Sequence, residues 1–238
     1  MKSLILILLA GSLLAGCGSG GSSTQTTTTA VPATTPVVAP PVITPPVVKI
    51  GPTDVVVIGN SITFSDVNPP VEWTGSWGMA ASSADKDFTH LVASTLGIPL
   101  TAANNFAGLE FDWAGATDQI PAMTAQIKST SLAVIEMGDD VSDLVSFVPR
   151  YNKLLDAAQH AQVLVCTSTW WQNDARDAVI QAACSAHGGH YVYIGNIYTD
   201  PLSGDKTDFQ YPVAGVNRHP HDWSMARIAE RIVAAAKN

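Results

Sequence analysis

Charge is what this sequence has least of. Only 13% of its 238 residues are Asp, Glu, Lys or Arg, and the 12 basic residues are outnumbered by 20 acidic ones. A net charge of −8 excludes the basic face that nucleic-acid binding demands, so no nucleic-acid partner is expected. There is also no apolar run of the roughly 20 residues needed to cross a bilayer; the longest stops between Leu4 and Leu14. Phosphate-binding glycine loops, dinucleotide fingerprints and internal repeats are all missing. His187 and His190, and His219 and His221, have no carboxylate at a recognised spacing and fit no zinc template, so neither metal nor cofactor is expected. What the chain does have is apolar residues. At 46% hydrophobic it can bury a core, and global disorder is excluded.

Cysteine is scarce as well, with three in the chain. Lys2, the short apolar run and the small residues after it read as a secretory signal over residues 1–17. Leu14-Ala15-Gly16-Cys17 resembles a bacterial lipobox, which implies that Cys17 is acylated and ties the chain to a lipid bilayer. Gly18 lacks the aspartate of inner-membrane retention, so the expected address is the outer membrane, on its periplasmic or surface face. Residues 18–47 are rich in Gly, Ser, Thr and Pro and read as an extended tether. The folded domain is expected over 48–238. In an exported protein Cys166 and Cys184 are free to form a disulfide, and two buried thiols are the open alternative.

From Val48 onward, apolar runs alternate with amphipathic stretches. Strands are expected at Asp54–Ile58, Leu100–Ala103, Leu132–Met137, Val163–Ser168 and Tyr191–Gly195. Helices are expected near Asp87–Leu96, Asp118–Lys128, Leu144–His160, Arg176–Ala186 and Asp222–Ala235. Continuous apolar strands separated by helices imply a three-layer α/β/α sandwich around a parallel five-stranded sheet. Ligands bind such sheets beyond the C-terminal strand ends. The segments there are Gly59-Asn60-Ser61, Asn104 to Gly108, and Gly138-Asp139-Asp140.

Ser61 follows the first strand directly, a position where a helix N-terminus would offer free N–H groups to a developing oxyanion. A serine there is also an ordinary cap. No Gly-x-Ser-x-Gly elbow surrounds it, which excludes an ordinary α/β-hydrolase. Near the other end, His219-Pro220 precedes the last helix, with Asp222 expected as its N-cap. Gly59-Asn60-Ser61-Ile62 and "HPHDWSMARIAERI" together resemble the first and last blocks of the SGNH (GDSL-type) hydrolases. Asn105 to Gly108 and Met137 to Asp140 stand where the second and third blocks belong.

The resemblance implies a flavodoxin-like sandwich and ester hydrolysis, with Ser61 as nucleophile and His219 as base. It implies oxyanion donors at the Ser61 N–H, at Gly108 and at Asp140. Three positions depart from the pattern. Asp140 replaces an Asn, and strict spacing reaches Glu110 where Gly108 lies two residues earlier. Val216 replaces the acid that normally orients the histidine. An ionised Asp140 repels an oxyanion unless burial or a second carboxylate, Asp139 or Glu110, keeps it protonated. A backbone carbonyl, Asp205, Asp208 or Asp222 are the available orienters of His219. Asn60, Asn105, Glu110, Trp73, Trp77 and Trp171 are expected around the cleft, although tryptophans there also serve as loop core. The expected substrate is a small acyl ester or an acylated carbohydrate. The competing reading is a degraded SGNH fold acting as a carbohydrate-binding or cell-envelope scaffold module.

Overall fold

The computed structural model describes residues 51–203 and 210–238. The expected signal segment, Cys17, the tether, Asp205 and Asp208 lie outside these residues. The chain divides into two units, 1–47 and 48–238, and the second holds every element named below.

Five strands form one parallel sheet: β1 (Asp54–Gly59), β2 (Leu100–Asn105), β3 (Ser131–Glu136), β4 (Val163–Thr167) and β5 (His190–Val192), in the order β2-β1-β3-β4-β5. β1 and β3 are buried along their whole length because both sheet faces are covered. Along β1, Val56 and Ile58 enter one core and Val55 and Val57 the other, as the two-residue strand period requires. The first core is closed by α4 (Leu144–Ala158) and α5 (Asp174–Ala186), through Phe147, Tyr151, Leu154 and Ile180. The second is closed by α1 (Phe88–Leu96) and α8 (Asp222–Ala236), through Phe88, Val92, Met225 and Ile228. Short helices α2 (Ala107–Glu110), α3 (Ile120–Thr124), α6 (Gly195–Tyr198) and α7 (Ala214–Asn217) sit in the connections. Three layers and a parallel sheet are thus present.

Four local expectations are corrected. No α-helix starts at Ser61: Asn60 O accepts from Thr63 N and Phe64 N, closing a single turn, and after 3₁₀ turns at Pro69–Val71 and Ala84–Lys86 the first α-helix begins at Phe88. The stretch expected as helix over 118–128 is a 3₁₀ turn at Ala116–Gln119 followed by the brief α3. The fifth strand ends at Val192, because Ile194 N and Gly195 N turn onto Ser168 Oγ and Gly195 opens α6. Asp222 is the first residue of α8 and His221 its cap. Of the two cysteine readings, the structure has the disulfide, Cys166–Cys184, which joins β4 to α5.

The sheet order puts a topological switch at β1, whose two neighbours leave in opposite directions. A crevice opens there, between the loops after β1 and β3.

Candidate active site

Gly59 ends β1 beside Glu136, its register partner on β3. A Cβ at Gly59 would lie 2.4 Å from the Glu136 carbonyl oxygen and 2.7 Å from its Oε2, so only glycine fits. The chain then tightens around Asn60, whose Oδ1 accepts from Ile62 N at 2.9 Å. Ser61 N–H donates to no group among the described residues and remains free for a ligand.

The segment after Ser61 folds on itself through two antiparallel bridges, Ser65 with Trp77 and Asn68 with Trp73. Trp73, Met79, Ala80 and Val216 form a small separate core, joined by Trp77, Tyr211 and Val213. That core fastens the Ser61 loop to α7, and α7 carries the chain into His219. Val216, at the expected acid position, points into this apolar cluster and is 2% exposed. The consequence is a fixed pair: Ser61 Oγ and His219 Nε2 are 2.8 Å apart.

His219 Nδ1 lies 2.8 Å from the Gly215 carbonyl oxygen, four residues back at α7. A carbonyl can only accept, so Nδ1 carries the proton and Nε2 is left to accept from Ser61 Oγ. Asp222 is occupied elsewhere, accepting from Ser82 N at 2.8 Å and Ser82 Oγ at 2.6 Å. It does not orient His219. The imidazole stands edge-on to Trp171, ring centroids 5.2 Å apart. Burial pushes its pKa down to about 4, so the ring is neutral and able to take a proton at neutral pH.

Beside it a cavity of about 350 Å³ is lined by Asp139, Asp140, Trp171, Gly215, Arg218 and His219. Arg218 reaches over the Trp171 ring at 5.9 Å. Three carboxyls of this region are buried: Asp139, at the cavity wall, and Glu110 and Glu136. Burial raises Glu110 to about 8, Asp139 to about 6, and Glu136 well above its ordinary value, the last reinforced by the charge of Asp139. Asp140, less buried, is raised by desolvation against the pull of Arg176. Gly138 has φ +127°, and its N–H donates to Glu110 Oε1. Arg176 Nη1 donates to the carbonyls of Gly138 and Asp139, at 3.1 and 2.6 Å.

The remaining expected residues divide. Gly108 is the second residue of α2, and its N–H, like that of Ser61, has no partner among the described residues. Asp140 and Trp171 line the cleft with His219. Asn60, Glu110 and Trp73 do not, being 1%, 1% and 2% exposed: the first two pack inside the turn and beneath Gly138, the third in the loop core. Trp77 is half-buried against Trp73 and donates Nε1–H to Ala81 O. Asn105 is exposed, but its amide clasps Phe64 O at 2.8 Å and its Oδ1 accepts from Ala107 N, so it braces the two loops. Sequence reasoning missed Gly215 and Arg218. The first acts through main chain and carries no side-chain signal; the second shows itself only as the neighbour of His219.

A parallel sandwich with a serine after β1 in contact with a histidine before the last helix defines the class: the fold is that of the SGNH hydrolases. No family model and no curated protein sequence matches the chain. Solved structures do. A family two carbohydrate esterase from Clostridium thermocellum, in complex with cellohexaose, aligns with TM-score 0.54 at 17% identity over 80% of this chain and 65% of that one. An active-site mutant of such an esterase from the same organism gives 0.52 at 15% identity, over 80% and 64%. A protein described as a GDSL-like lipase from Bacteroides uniformis gives 0.54 at 14% identity, over 79% and 96%. This chain therefore spans slightly less than two-thirds of the length of those carbohydrate esterases.

Proposed function

We propose that this chain is an exported, lipid-anchored serine esterase that hydrolyses acyl esters, carried on carbohydrate in its natural substrate. The observation that carries the reading is the 2.8 Å contact between Ser61 Oγ and His219 Nε2, with Nδ1 held by Gly215 O. As the Ser61 oxygen attacks the ester carbonyl carbon, its proton passes to Nε2. The tetrahedral oxyanion is met by the free N–H groups of Ser61 and Gly108, and by Asp140 when its carboxyl is protonated. Nε2–H then protonates the departing alcohol, leaving an acyl group on Ser61. Water attacks that acyl group with His219 again as base, releasing the acid and restoring the serine. The imidazolium formed in between is stabilised by a carbonyl dipole alone, so Ser61 and His219 act as a dyad.

Support for an acylated carbohydrate comes from the cellohexaose-bound carbohydrate esterase of like fold and from Trp171 at the cleft wall. Support for the outer-membrane address is the lipobox-like segment ending at Cys17. A second reading, a scaffold or carbohydrate-binding module without turnover, is favoured by one observation: an acid, Asp140, occupies the oxyanion side.

The test uses the full-length chain, a fluorophosphonate probe and an aryl acetate. Label is expected on Ser61, and Ser61→Ala and His219→Ala each lower kcat/KM by roughly 10⁴-fold or more. A chain that takes no label and turns over no ester is the scaffold module instead.

A further inference from the structure

On the β2 edge of the sheet, the loop after α2 holds two large aromatic rings in solvent. Phe111 is 45% and Trp113 64% exposed. Their rings stack, centroids 5.8 Å apart and planes 16° from parallel; they are the one stacked pair of exposed aromatics among the described residues. We propose that Phe111 and Trp113 form a sugar-binding platform beside the reacting serine, taking a pyranose ring of the neutral glycan that bears the ester. For the ester it rests on the esterase reading above; for the glycan it stands on its own.

The loop is built to hold this pose. Asp112, between the two rings, has φ +58°, a left-handed conformation that aspartate tolerates at some cost. Its carboxylate pairs with Arg150 Nη1 at 2.7 Å, and Arg150, itself buried, donates Nε–H to Leu109 O at 2.9 Å. A charged anchor from α4 thus fixes a strained turn whose outcome is two exposed rings. Strain and a buried arginine spent on displaying apolar surface to water indicate a ligand for that surface.

Its position says which ligand. Trp113 Cε3 is 2.9 Å from where a Cβ on Gly108 would stand, so the indole lies across the glycine whose free N–H the proposed mechanism assigns to the oxyanion. The sheet order puts this loop, after β2, on one side of Ser61 and Trp171, after β4, on the other. Three strand spacings, about 14 Å, separate the two, the scale of a short oligosaccharide rather than of a lone acyl group. The open outer face of this stacked pair, with the Asp112 carboxylate between its two residues, suits the C–H face of a sugar, whose hydroxyls stay in water. An acyl chain calls instead for an enclosed apolar slot.

The test compares the full-length chain with Trp113→Ala, Phe111→Ala and Trp113→Phe on acetylated xylan, acetylated glucomannan and 4-nitrophenyl acetate. The ratio of kcat/KM on polymer to kcat/KM on the small ester falls about tenfold in each alanine variant, and Trp113→Phe recovers most of it. A merely structural role lowers both rates together and leaves the ratio unchanged, which overturns the platform. A binding arm uses calorimetry of the chemically deacetylated polymers with Ser61→Ala, with and without Trp113→Ala. Kd weakens about tenfold when Trp113 is removed; equal affinity, or no binding to either protein, overturns the proposal. If no ester is turned over but the Trp113-dependent affinity is present, the esterase reading falls and the platform stands.

Discussion

At the scale of single residues, the departure that matters is Asp140. An asparagine donates a hydrogen bond at any pH, whereas a carboxyl donates only with its proton on. Burial holds that proton to higher pH than usual, and Arg176 works to release it. The groups facing this point are Asp139, Glu110, His219, Arg218 and Arg176. Asp140→Asn is therefore expected to raise kcat on an aryl acetate at pH 8 by on the order of tenfold, within the roughly 3 kcal/mol of one oxyanion donor. A large fall in kcat at every pH contradicts this and gives the acid another duty. Ser61 and His219 stood out in the sequence because each sits beside a strand end or helix start flanked by Gly or Pro. The partner of His219 did not: a main-chain carbonyl, Asp205, Asp208 and Asp222 all stood open by spacing, and folding commits the Asp222 carboxylate to Ser82.

Elements were more legible than loops. β1, β3 and β4 are apolar runs long enough to be nothing but buried strands, and α4 and α8 each show one apolar stripe. The weak run at Leu100–Ala103 was legible too, although the strand it marks runs on to Asn105 and, as the last on its side of the sheet, buries little. What could not be read was the segment from Ser61 to Asp87, because its order comes from Trp73, Tyr211 and Val216 meeting across about 140 residues of sequence. The ring pair at 111 and 113 also escaped notice, since adjacency in sequence does not reveal a left-handed residue between. Gly59 tests the element scale. Ala at that site meets both main chain and the Glu136 carboxyl, and the sheet must part to admit it. Gly59→Ala is expected to cost on the order of 3 kcal/mol, a Tm drop of roughly 10 °C by calorimetry. A drop under about 2 °C would show that β1 and β3 are more loosely coupled than their register indicates.

For the whole molecule, the buried carboxyls reverse the usual effect of acid. Glu110, Glu136 and Asp139 hold protons in the folded state at pH values where the unfolded chain has lost them. Their contribution is complete below about pH 4.5 and drains away as pH rises toward 8. His219 runs the other way: held neutral, it supports the fold fully above about 6.5 and less as pH falls toward 4. Stability should peak on the mildly acidic side. With about 1.4 kcal/mol per pH unit for each retained proton, Tm at pH 8 is expected roughly 10 °C below Tm at pH 5.5. Glu110→Gln, which keeps an acceptor for Gly138 N–H, should halve that slope or better. A Tm that climbs from pH 5.5 to 8 would mean the carboxyls are ionised and stabilised by groups other than those seen.

His219 takes its tautomer from the Gly215 carbonyl, and that has a genetic corollary. Every amino acid contributes the same main-chain oxygen, so no codon change at position 215 deletes this partner, as one base change deletes an aspartate. Damage must come indirectly, through substitutions that bend α7 or loosen the Trp73–Val216 packing under it. Deleterious mutations should thus scatter over that small core instead of falling on one acidic position. Drift in a lineage carrying this arrangement would erode the geometry gradually before it silenced the histidine.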